Sequence, residues 1–277
     1  MENIQLEIDE IKYIGEILRT AGLMAQKMVD KGVTQQIKKD GSPVTNVDVE
    51  IQNYILGKLR DKKSPVKNYN LICEECKSNK ISNKFITIDP IDGTRHLFTD
   101  HNYTIMAGKV EDNNVSYGIV YYPKKEMLFI GHTRMTVVID YSNNSIEEMK
   151  LSSTSDLSKA TILIGTTDFV KYSKELEKLK KMLNIKIIGS TGLKASLVAS
   201  GVADGYILFP RAMTLWDIVP SYAVVKHCGG KITDLHGNKL NLNNIISKYG
   251  AIISNGKIHE DLLKVVNSVL SLNQQNI

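Results

Sequence analysis

The feature that most constrains this chain is a strand that ends in acidic residues. Residues 84–88 read KFITI, an apolar and β-branched run that predicts a buried strand, and residues 89–94 continue as DPIDGT. Burying an unpaired carboxylate is costly, so Asp89 and Asp92 must either face water at an open edge of the sheet or lie beside positive charge. We therefore expect a crevice where this strand ends.

The bulk composition indicates an ordinary globular protein with a mild positive charge. Its 277 residues suffice for one large domain or for two closely apposed ones. Lys plus Arg number 35 against 30 for Asp plus Glu, and the formal charge of +5 suits anionic small molecules without requiring nucleic acid. We expect no nucleic-acid partner.

The cysteines and the N-terminus favour a cytoplasmic protein. The chain has neither a basic, apolar leader nor a run of membrane-spanning length, so we expect no signal peptide and no membrane partner. Three cysteines are too few for a disulfide framework. Cys73 and Cys76 have C-x-x-C spacing without a second pair, and a bond between them would twist the strand end that carries Glu74. We expect such oxidation to lower activity.

Residues 1–150 predict an α+β half with an antiparallel sheet. Apolar residues three or four apart indicate a long helix over about residues 4–28, and a second helical pattern runs through residues 48–59 with Thr45 available as its cap. Short strands follow at NLICEE and KFITID. Three β-rich runs within residues 102–132 then alternate with short polar turns, which is typical of an antiparallel meander.

Residues 151–277 predict an α/β half. Strand patterns at TILIG, IKIIGS, GYILF and GAIISN alternate with helical patterns at YSKELEKLKKML, TGLKASLVASG, WDIVPSYAVVKHCGG and HEDLLKVVNSVL. The chain contains no internal repeat and no low-complexity linker, so the two halves are expected to share one interface.

Five acidic residues stand at predicted strand ends or helix starts, where α/β proteins gather ligands. They are Asp48, Glu74, Asp89, Asp92 and Asp217. If they converge, their oxygens would repel one another unless cations bridge them, and such ligands select Mg²⁺ or Ca²⁺.

Each of these acids also has a simpler structural interpretation. Thr45-x-x-Asp48 fits a capping box, and Asp217 can be a helix N-cap with Pro220 tolerated in the first turn. Asp92 followed by glycine is a common turn signal, and Glu74 can belong to a solvated pair. Spacing alone leaves both interpretations open.

Taken together, five ordered segments resemble the inositol monophosphatase superfamily of Mg²⁺-dependent, lithium-sensitive phosphomonoesterases. They are SPVTNVD, ICEE, DPIDGT, GSTGLKASLVASG and LWDIVPSYAVVKHCGGKITD. The resemblance implies a layered αβαβα sandwich of α/β (α+β) class, a small phosphorylated substrate and two to three Mg²⁺ ions. A homodimer is compatible with it.

The resemblance also implies the metal ligands. Glu74, Asp89 and the backbone carbonyl of Ile91 would hold the first Mg²⁺, while Asp89, Asp92 and Asp217 would hold the second. A third, weaker ion would lie near Glu74.

The remaining catalytic roles follow from the same resemblance. Asp48 and Thr94 match the pair that positions and deprotonates the attacking water, with Glu74 assisting through the third ion. Gly93 and Thr94 would present N–H groups to the phosphate.

Two segments, GSTGLKASLVASG and FPRAMTLWD, resemble those of the 3′(2′),5′-bisphosphate nucleotidases. A nucleotidase of this kind would remove one phosphate from adenosine 3′,5′-bisphosphate to leave AMP. On this interpretation Lys194 and Arg211 bind the second phosphate or the sugar, whereas a structural view makes both of them exposed charges. The chain departs from the nucleotidases at Arg95-His96, at an extra Gly192 and at Pro220.

Two alternatives stay open beside the nucleotidase. One is a phosphatase of inositol 1-phosphate or another sugar phosphate, although no acid lies between Gly205 and Trp216, where inositol-specific members usually carry a glutamate. The other is a non-catalytic, RNA-associated binding protein that kept the fold.

Overall fold

The computed structural model describes residues 2–37, 43–76, 81–210, 213–242, 246–247 and 250–270. The α-helices are α1 (Glu2–Lys31), α2 (Asn46–Leu59), α3 (Thr166–Lys171), α4 (Ser173–Leu179), α5 (Thr191–Ala199), α6 (Leu215–His227) and α7 (His259–Leu270). Short 3₁₀ helices span Thr94–His96, Pro123–Lys125 and Leu157–Lys159. No helix in the described part of the chain combines the length and the apolar character needed to cross a membrane.

The strands fall into two main sheets and two short pairs. The first sheet contains β3 (Asn70–Cys73), β4 (Lys84–Asp92), β5 (Thr104–Glu111), β6 (Asn114–Tyr122), β7 (Met127–His132), β8 (Met135–Asp140) and β9 (Ser145–Glu148). The second contains β10 (Thr161–Ile164), β11 (Asn184–Ile187), β12 (Gly205–Leu208), β14 (Lys231–Thr233) and β16 (Ala251–Ser254). The pairs are β1 (Gln35–Ile37) with β2 (Pro43–Thr45), and β13 (Met213–Thr214) with β15 (Ile246–Ser247).

These elements stack in five layers, which confirms the expected αβαβα sandwich. Helices α1 and α2 cover one face of the seven-stranded sheet, and α5 and α6 lie between its other face and the five-stranded sheet. Helices α4 and α7 close the far side. Because side chains alternate along a strand, Leu163 of β10 faces α5 and α6, while its neighbours Ile162 and Ile164 pack in the outer layer.

The first sheet keeps its strands in chain order, β3 to β9, with only β3 and β4 parallel. The predicted meander is confirmed and extends further than expected, through β8 and β9. These two strands were missed because β8 is only half-buried and the sequence of β9, SIEE, is mostly polar and exposed. Pairing of β8 with β7 and of β9 with β8 holds both strands in the sheet, although neither shows the alternation that marks a buried face.

The predicted helices are mostly confirmed. Helix α1 covers the expected span, and Thr45 caps α2 in a full capping box with Asp48. The helix expected at residues 172–183 is shorter, since α4 ends at Leu179 and a separate α3 precedes it. The division into two halves at residue 150 stays a prediction. Helix α6, which belongs to the second half, packs on the sheet of the first half.

A row of glycines lets α6 approach that sheet closely. Gly108, Gly118 and Gly131 are neighbours across β5, β6 and β7. A Cβ on Gly118 would lie 2.6 Å from the carbonyl oxygen of Pro220, so the helix backbone rests directly on the bare strands. The row sets the height of α6 above the sheet.

Pro220 itself corrects an expectation. It is the sixth residue of α6 and therefore lies in the second turn, not in the first, because the helix begins at Leu215. A proline there removes one intrahelical hydrogen bond. Pro220 lies against Gly108 and Gly118 of the row.

We expect Gly118→Ala to destabilise the fold by about 1–3 kcal/mol, since the added methyl group must push α6 away from β6. Urea unfolding measures the change. The control is Gly57→Ala in α2, where a Cβ meets nothing within 4 Å and removing a helical glycine is expected to stabilise by about 0.5–1 kcal/mol. A Gly118 variant as stable as the wild type would mean that the row does not set the packing distance.

Candidate active site

The end of β4 brings two carboxylates to one point. Residues three apart in a regular strand point to opposite faces of a sheet. The pairing of β4 with β5 shifts register between Asp89 and Asp92, where Pro90 lies, and the backbone N–H of Ile91 donates to Asp89 Oδ1 at 3.0 Å. This irregularity turns both acids to the same side of the sheet.

Helix α6 adds a third carboxylate. Ligand oxygens of Asp89, Asp92 and Asp217 all lie within 4.8 Å of one another. Asp217 is the third residue of α6, and its Oδ2 accepts a hydrogen bond from Thr214 Oγ1 at 2.9 Å. Thr214 is the N-cap, so the expectation that Asp217 occupies that position is wrong, and the residue serves both the helix start and the acidic cluster.

Glu74 reaches the same cluster from the neighbouring strand. Strands β3 and β4 run parallel, and the backbone N–H of Glu74 donates to the carbonyl of Ile88 at 3.3 Å. The Glu74 carboxyl is hydrogen-bonded to Asp89. Gln52 of α2 steadies this turn, since its Oε1 accepts from the N–H of the residue after Glu74 at 2.9 Å. No sequence pattern indicates this role of Gln52, because it depends on contact between distant segments.

Cys73 and Cys76, on either side of this turn, form a disulfide with their Cα atoms 5.3 Å apart. Glu74 keeps its contact with Asp89 in the same structure. The lower activity expected on oxidation stays a prediction.

Burial and charge repulsion together determine the electrostatics of the cluster. Burial raises the pKa of Asp89 well above its ordinary value, and the carboxylates of Glu74, Asp92 and Asp217 raise it further. Asp89 is only 2% exposed, so water screens little of this repulsion. The oxygen-only donor set and its crowding fit a hard divalent cation such as Mg²⁺, which would offset the repulsion.

Asp92 also connects the end of β4 to the start of α5. Its carboxylate accepts from the backbone N–H of Thr191 at 3.0 Å and of Gly192 at 2.7 Å, at the start of α5. The hydroxyls of Ser190 and Thr104 donate to the same carboxylate at 2.5 and 3.0 Å. A negative charge is favourable at a helix N-terminus, so the start of α5 holds and orients the Asp92 carboxylate.

Asp48 and Thr94 form a second polar unit beside the acids. Thr94 Oγ1 donates to Asp48 Oδ1 at 2.8 Å and lies 3.3 Å from the carbonyl oxygen of Ile91. The other oxygen of Asp48 accepts from the backbone N–H of Thr45 at 2.8 Å. Asp48 is therefore both the capping-box residue of α2 and the hydrogen-bond partner of Thr94, while its catalytic role stays a prediction.

Gly93 makes the turn after the acids possible. Its φ of +94° lies in the left-handed region that favours glycine, and Thr94 starts the 3₁₀ helix behind it. A Cβ at this position would also lie 3.2 Å from the backbone nitrogen of Ser190. The turn thus brings the chain after β4 against the loop that leads into α5.

Lys194 lies inside the protein. It is 2% exposed, so the structural view of an exposed helical lysine is wrong. Its Nζ donates to the carbonyl of Ser190 and, at 3.2 Å, to that of Ile188. Contact of Lys194 with substrate stays a prediction, and Arg211 lies outside the described residues.

The fold is that of the layered αβαβα phosphatases, and the chain belongs to the inositol monophosphatase family, whose model matches residues 4–271. Members of this family hydrolyse phosphate monoesters.

Particular relatives cover nearly the whole chain. A fructose-1,6-bisphosphatase/inositol-1-monophosphatase of Thermotoga maritima is 30% identical over 272 residues, which are 95% of this chain and 98% of the relative. A 3′(2′),5′-bisphosphate nucleotidase, CysQ, of Aggregatibacter actinomycetemcomitans is 26% identical over 237 residues, 82% of this chain and 85% of the relative. The solved structure of a Thermotoga maritima IMPase superposes with a TM-score of 0.81 at 27% identity, covering 95% of this chain and 98% of that one.

We expect Asp89→Asn to raise the melting temperature of the metal-free protein at pH 8. A carboxyl with a raised pKa binds more protons in the folded chain than in the unfolded one, so stability falls as the pH rises from the ordinary value of 3.8 through the folded pKa. The neutral amide removes that loss and can still accept from the N–H of Ile91.

Thermal unfolding in chelator at several pH values measures this effect. The advantage of the variant should shrink as the pH is lowered and Asp89 becomes protonated in the wild type. A variant that melts below the wild type at pH 8 would contradict the repulsion. Added Mg²⁺ should stabilise the wild type more than Asp89→Asn.

Proposed function

We propose that the protein is a Mg²⁺-dependent phosphomonoesterase whose active site is the acidic cluster between β4 and α6. The observation that carries this proposal is the convergence of the Asp89, Asp92 and Asp217 oxygens within 4.8 Å, beside the hydrogen-bonded pair of Asp48 and Thr94. A related IMPase/NADP phosphatase, 21% identical with a TM-score of 0.79, was crystallised with Mg²⁺ and phosphate.

The residues that would hold Mg²⁺ are those the sequence resemblance named. Glu74, Asp89 and the carbonyl of Ile91 would hold one ion, and Asp89, Asp92 and Asp217, whose oxygens converge, would hold the other. Bound Mg²⁺ would lower the pKa of a coordinated water from ~15.7 towards neutrality and offset the charge of the phosphate. Two to three ions remain our proposal.

Asp48 and Thr94 would then position the attacking water. The Thr94 hydroxyl donates a hydrogen bond to Asp48 Oδ1, so the lone pairs of Thr94 Oγ1 can accept a hydrogen bond from water. Asp48 is held by the capping box of α2 and is fully buried, so its carboxylate is fixed where it can take up a proton through Thr94. The backbone N–H groups of Gly93 and Thr94 would bind a phosphate oxygen.

Replacing Thr94 with valine should lower kcat by about 10²–10⁴-fold, because the isosteric side chain cannot relay a proton to Asp48. Thr94→Ser, which retains the hydroxyl, is the matched control and should keep most of the activity. Phosphate release from a chromogenic phosphate monoester measures both. Equal activity of the valine and serine variants would remove Thr94 from the mechanism.

Metal dependence is tested at Asp217. Asp92→Asn would also weaken the hydrogen bonds at the start of α5, whereas Asp217→Asn keeps the shape of a residue that binds Thr214. We expect a chelator to abolish wild-type turnover, excess Mg²⁺ to restore it, and Asp217→Asn to remain nearly inactive at all Mg²⁺ concentrations with little change in melting temperature. Full activity of Asp217→Asn, or wild-type turnover in chelator, would contradict the proposal.

We propose two candidate classes of substrate: a sugar phosphate first and a nucleotide bisphosphate second. The 30% identity to the Thermotoga maritima enzyme along almost its whole length favours an inositol phosphate or a fructose bisphosphate. The nucleotidase hypothesis has support from the CysQ relative and from the segment around Lys194, but the ammonium of Lys194 already binds two backbone carbonyls inside the protein. A non-catalytic, RNA-associated role is the least favoured, because every candidate catalytic acid is retained. Lithium sensitivity, a cytoplasmic location and a homodimer stay predictions.

A parallel assay of phosphate release from inositol 1-phosphate, fructose 1,6-bisphosphate and adenosine 3′,5′-bisphosphate ranks these candidates. We expect kcat/KM to be highest for a sugar phosphate. A clear preference for the nucleotide would restore the nucleotidase hypothesis, and no release from any of the three in Mg²⁺ would count against the phosphatase itself.

A further inference from the structure

The position of Lys194 is unusual for a lysine. It is the fourth residue of α5, only 2% exposed, and its side chain turns back towards the start of its own helix. There the Nζ atom donates to the carbonyls of Ser190 and Ile188 and lies 4.8 Å from the ring centroid of Tyr206. A cation is unfavourable at a helix N-terminus, and burial adds to that cost. Specific partners must therefore offset both.

The surroundings supply those partners. The two carbonyls accept charge-assisted hydrogen bonds, and the face of Tyr206 gives a cation–π contact. Asp168, 1% exposed, adds a negative charge nearby: a Cβ on Gly165 would lie 3.2 Å from Asp168 Oδ2 and 3.9 Å from Lys194 Nζ. The ammonium is thus enclosed by acceptors that belong to the protein itself.

The turn that Lys194 binds has a second side, which faces the acidic cluster. Ser190 has φ +61°, a left-handed conformation that strains a residue with a side chain. Its carbonyl points to Lys194, while its hydroxyl and the next two backbone N–H groups donate to Asp92. The same strained turn therefore binds the lysine with its carbonyl and a candidate metal ligand with its donors.

We propose that Lys194 is a positioning residue for Asp92, acting through the Ser190 turn, and that it does not bind the substrate. The ammonium holds the Ser190 carbonyl in the direction that leaves the donors aimed at Asp92. This inference rests on the proposed function of the acidic cluster as a Mg²⁺ site. It also means that Lys194 does not select substrates with two phosphates.

The test compares Lys194→Met, which keeps the length of the side chain without its charge, with Lys194→Arg and with the exposed control Lys264→Met on α7. Isothermal titration with Mg²⁺ measures metal affinity without turnover. We expect Lys194→Met to bind Mg²⁺ about 10- to 100-fold more weakly, the range typical of residues that orient metal ligands. Lys194→Arg should recover part of the affinity, and Lys264→Met should match the wild type.

Kinetics separate positioning from substrate binding. Lys194→Met should lower kcat by the same factor for fructose 1,6-bisphosphate, inositol 1-phosphate and adenosine 3′,5′-bisphosphate, with KM unchanged and with partial recovery at high Mg²⁺. A rise in KM confined to the doubly phosphorylated substrates, at wild-type Mg²⁺ affinity, would overturn the proposal and make Lys194 a substrate contact.

A second variant keeps the test decisive if Lys194→Met does not fold, as judged by circular dichroism. Ser190→Ala removes the hydroxyl that donates to Asp92 and leaves Lys194 in place, so it should also weaken Mg²⁺ binding about tenfold or more. Unchanged Mg²⁺ affinity in Ser190→Ala would overturn the inference. Failure of the wild type to bind Mg²⁺ at all would instead refute the proposed function.

Discussion

The close contact between α6 and the seven-stranded sheet is the constraint on which the site depends. Three neighbouring glycines present no side chain to the helix, and the backbone of α6 between Val219 and Val224 lies against them. The same helix carries Asp217 at its start, so the packing distance also sets the distance between Asp217 and the acids at the end of β4. The packing of α6 on the sheet therefore determines both a core contact and the arrangement of the acidic cluster.

The acids remain in place because most of them have a structural partner besides one another. Asp48 completes the capping box of α2, Asp217 accepts from the N-cap of α6, and Asp92 accepts from the N-terminus of α5. Asp89 accepts from the backbone N–H of Ile91, but burial and three neighbouring carboxylates still raise its pKa. The metal-free protein therefore keeps a strained centre whose repulsion a divalent cation can offset, which links metal binding to stability.

The local parts of this arrangement could be predicted from the sequence. KFITI followed by DPIDGT predicted the strand and its acidic end, and Thr45 with Asp48 predicted the cap of α2. The shift of register that turns Asp89 and Asp92 to one side could not be predicted, because it depends on pairing with β5. Burial of Lys194 depends likewise on contact with Tyr206 and on the strained backbone of Ser190, which the segment GSTGLKASLVASG does not reveal as a sequence.

Where the chain departs from its relatives' motifs, the structure shows what replaces them. His96 stands after Thr94 at a position where the nucleotidases usually carry an acid. Its Nδ1 lies 2.8 Å from Asp100 Oδ1 and its Nε2 lies 3.0 Å from Thr166 Oγ1, at the start of α3. The imidazole thus bridges the segment after β4 to the α/β half, so the departure at residue 96 adds a contact between the two halves beside the site. Substrate preference can therefore change without a change in the acidic cluster, since the residues around His96 can differ while the acids stay the same.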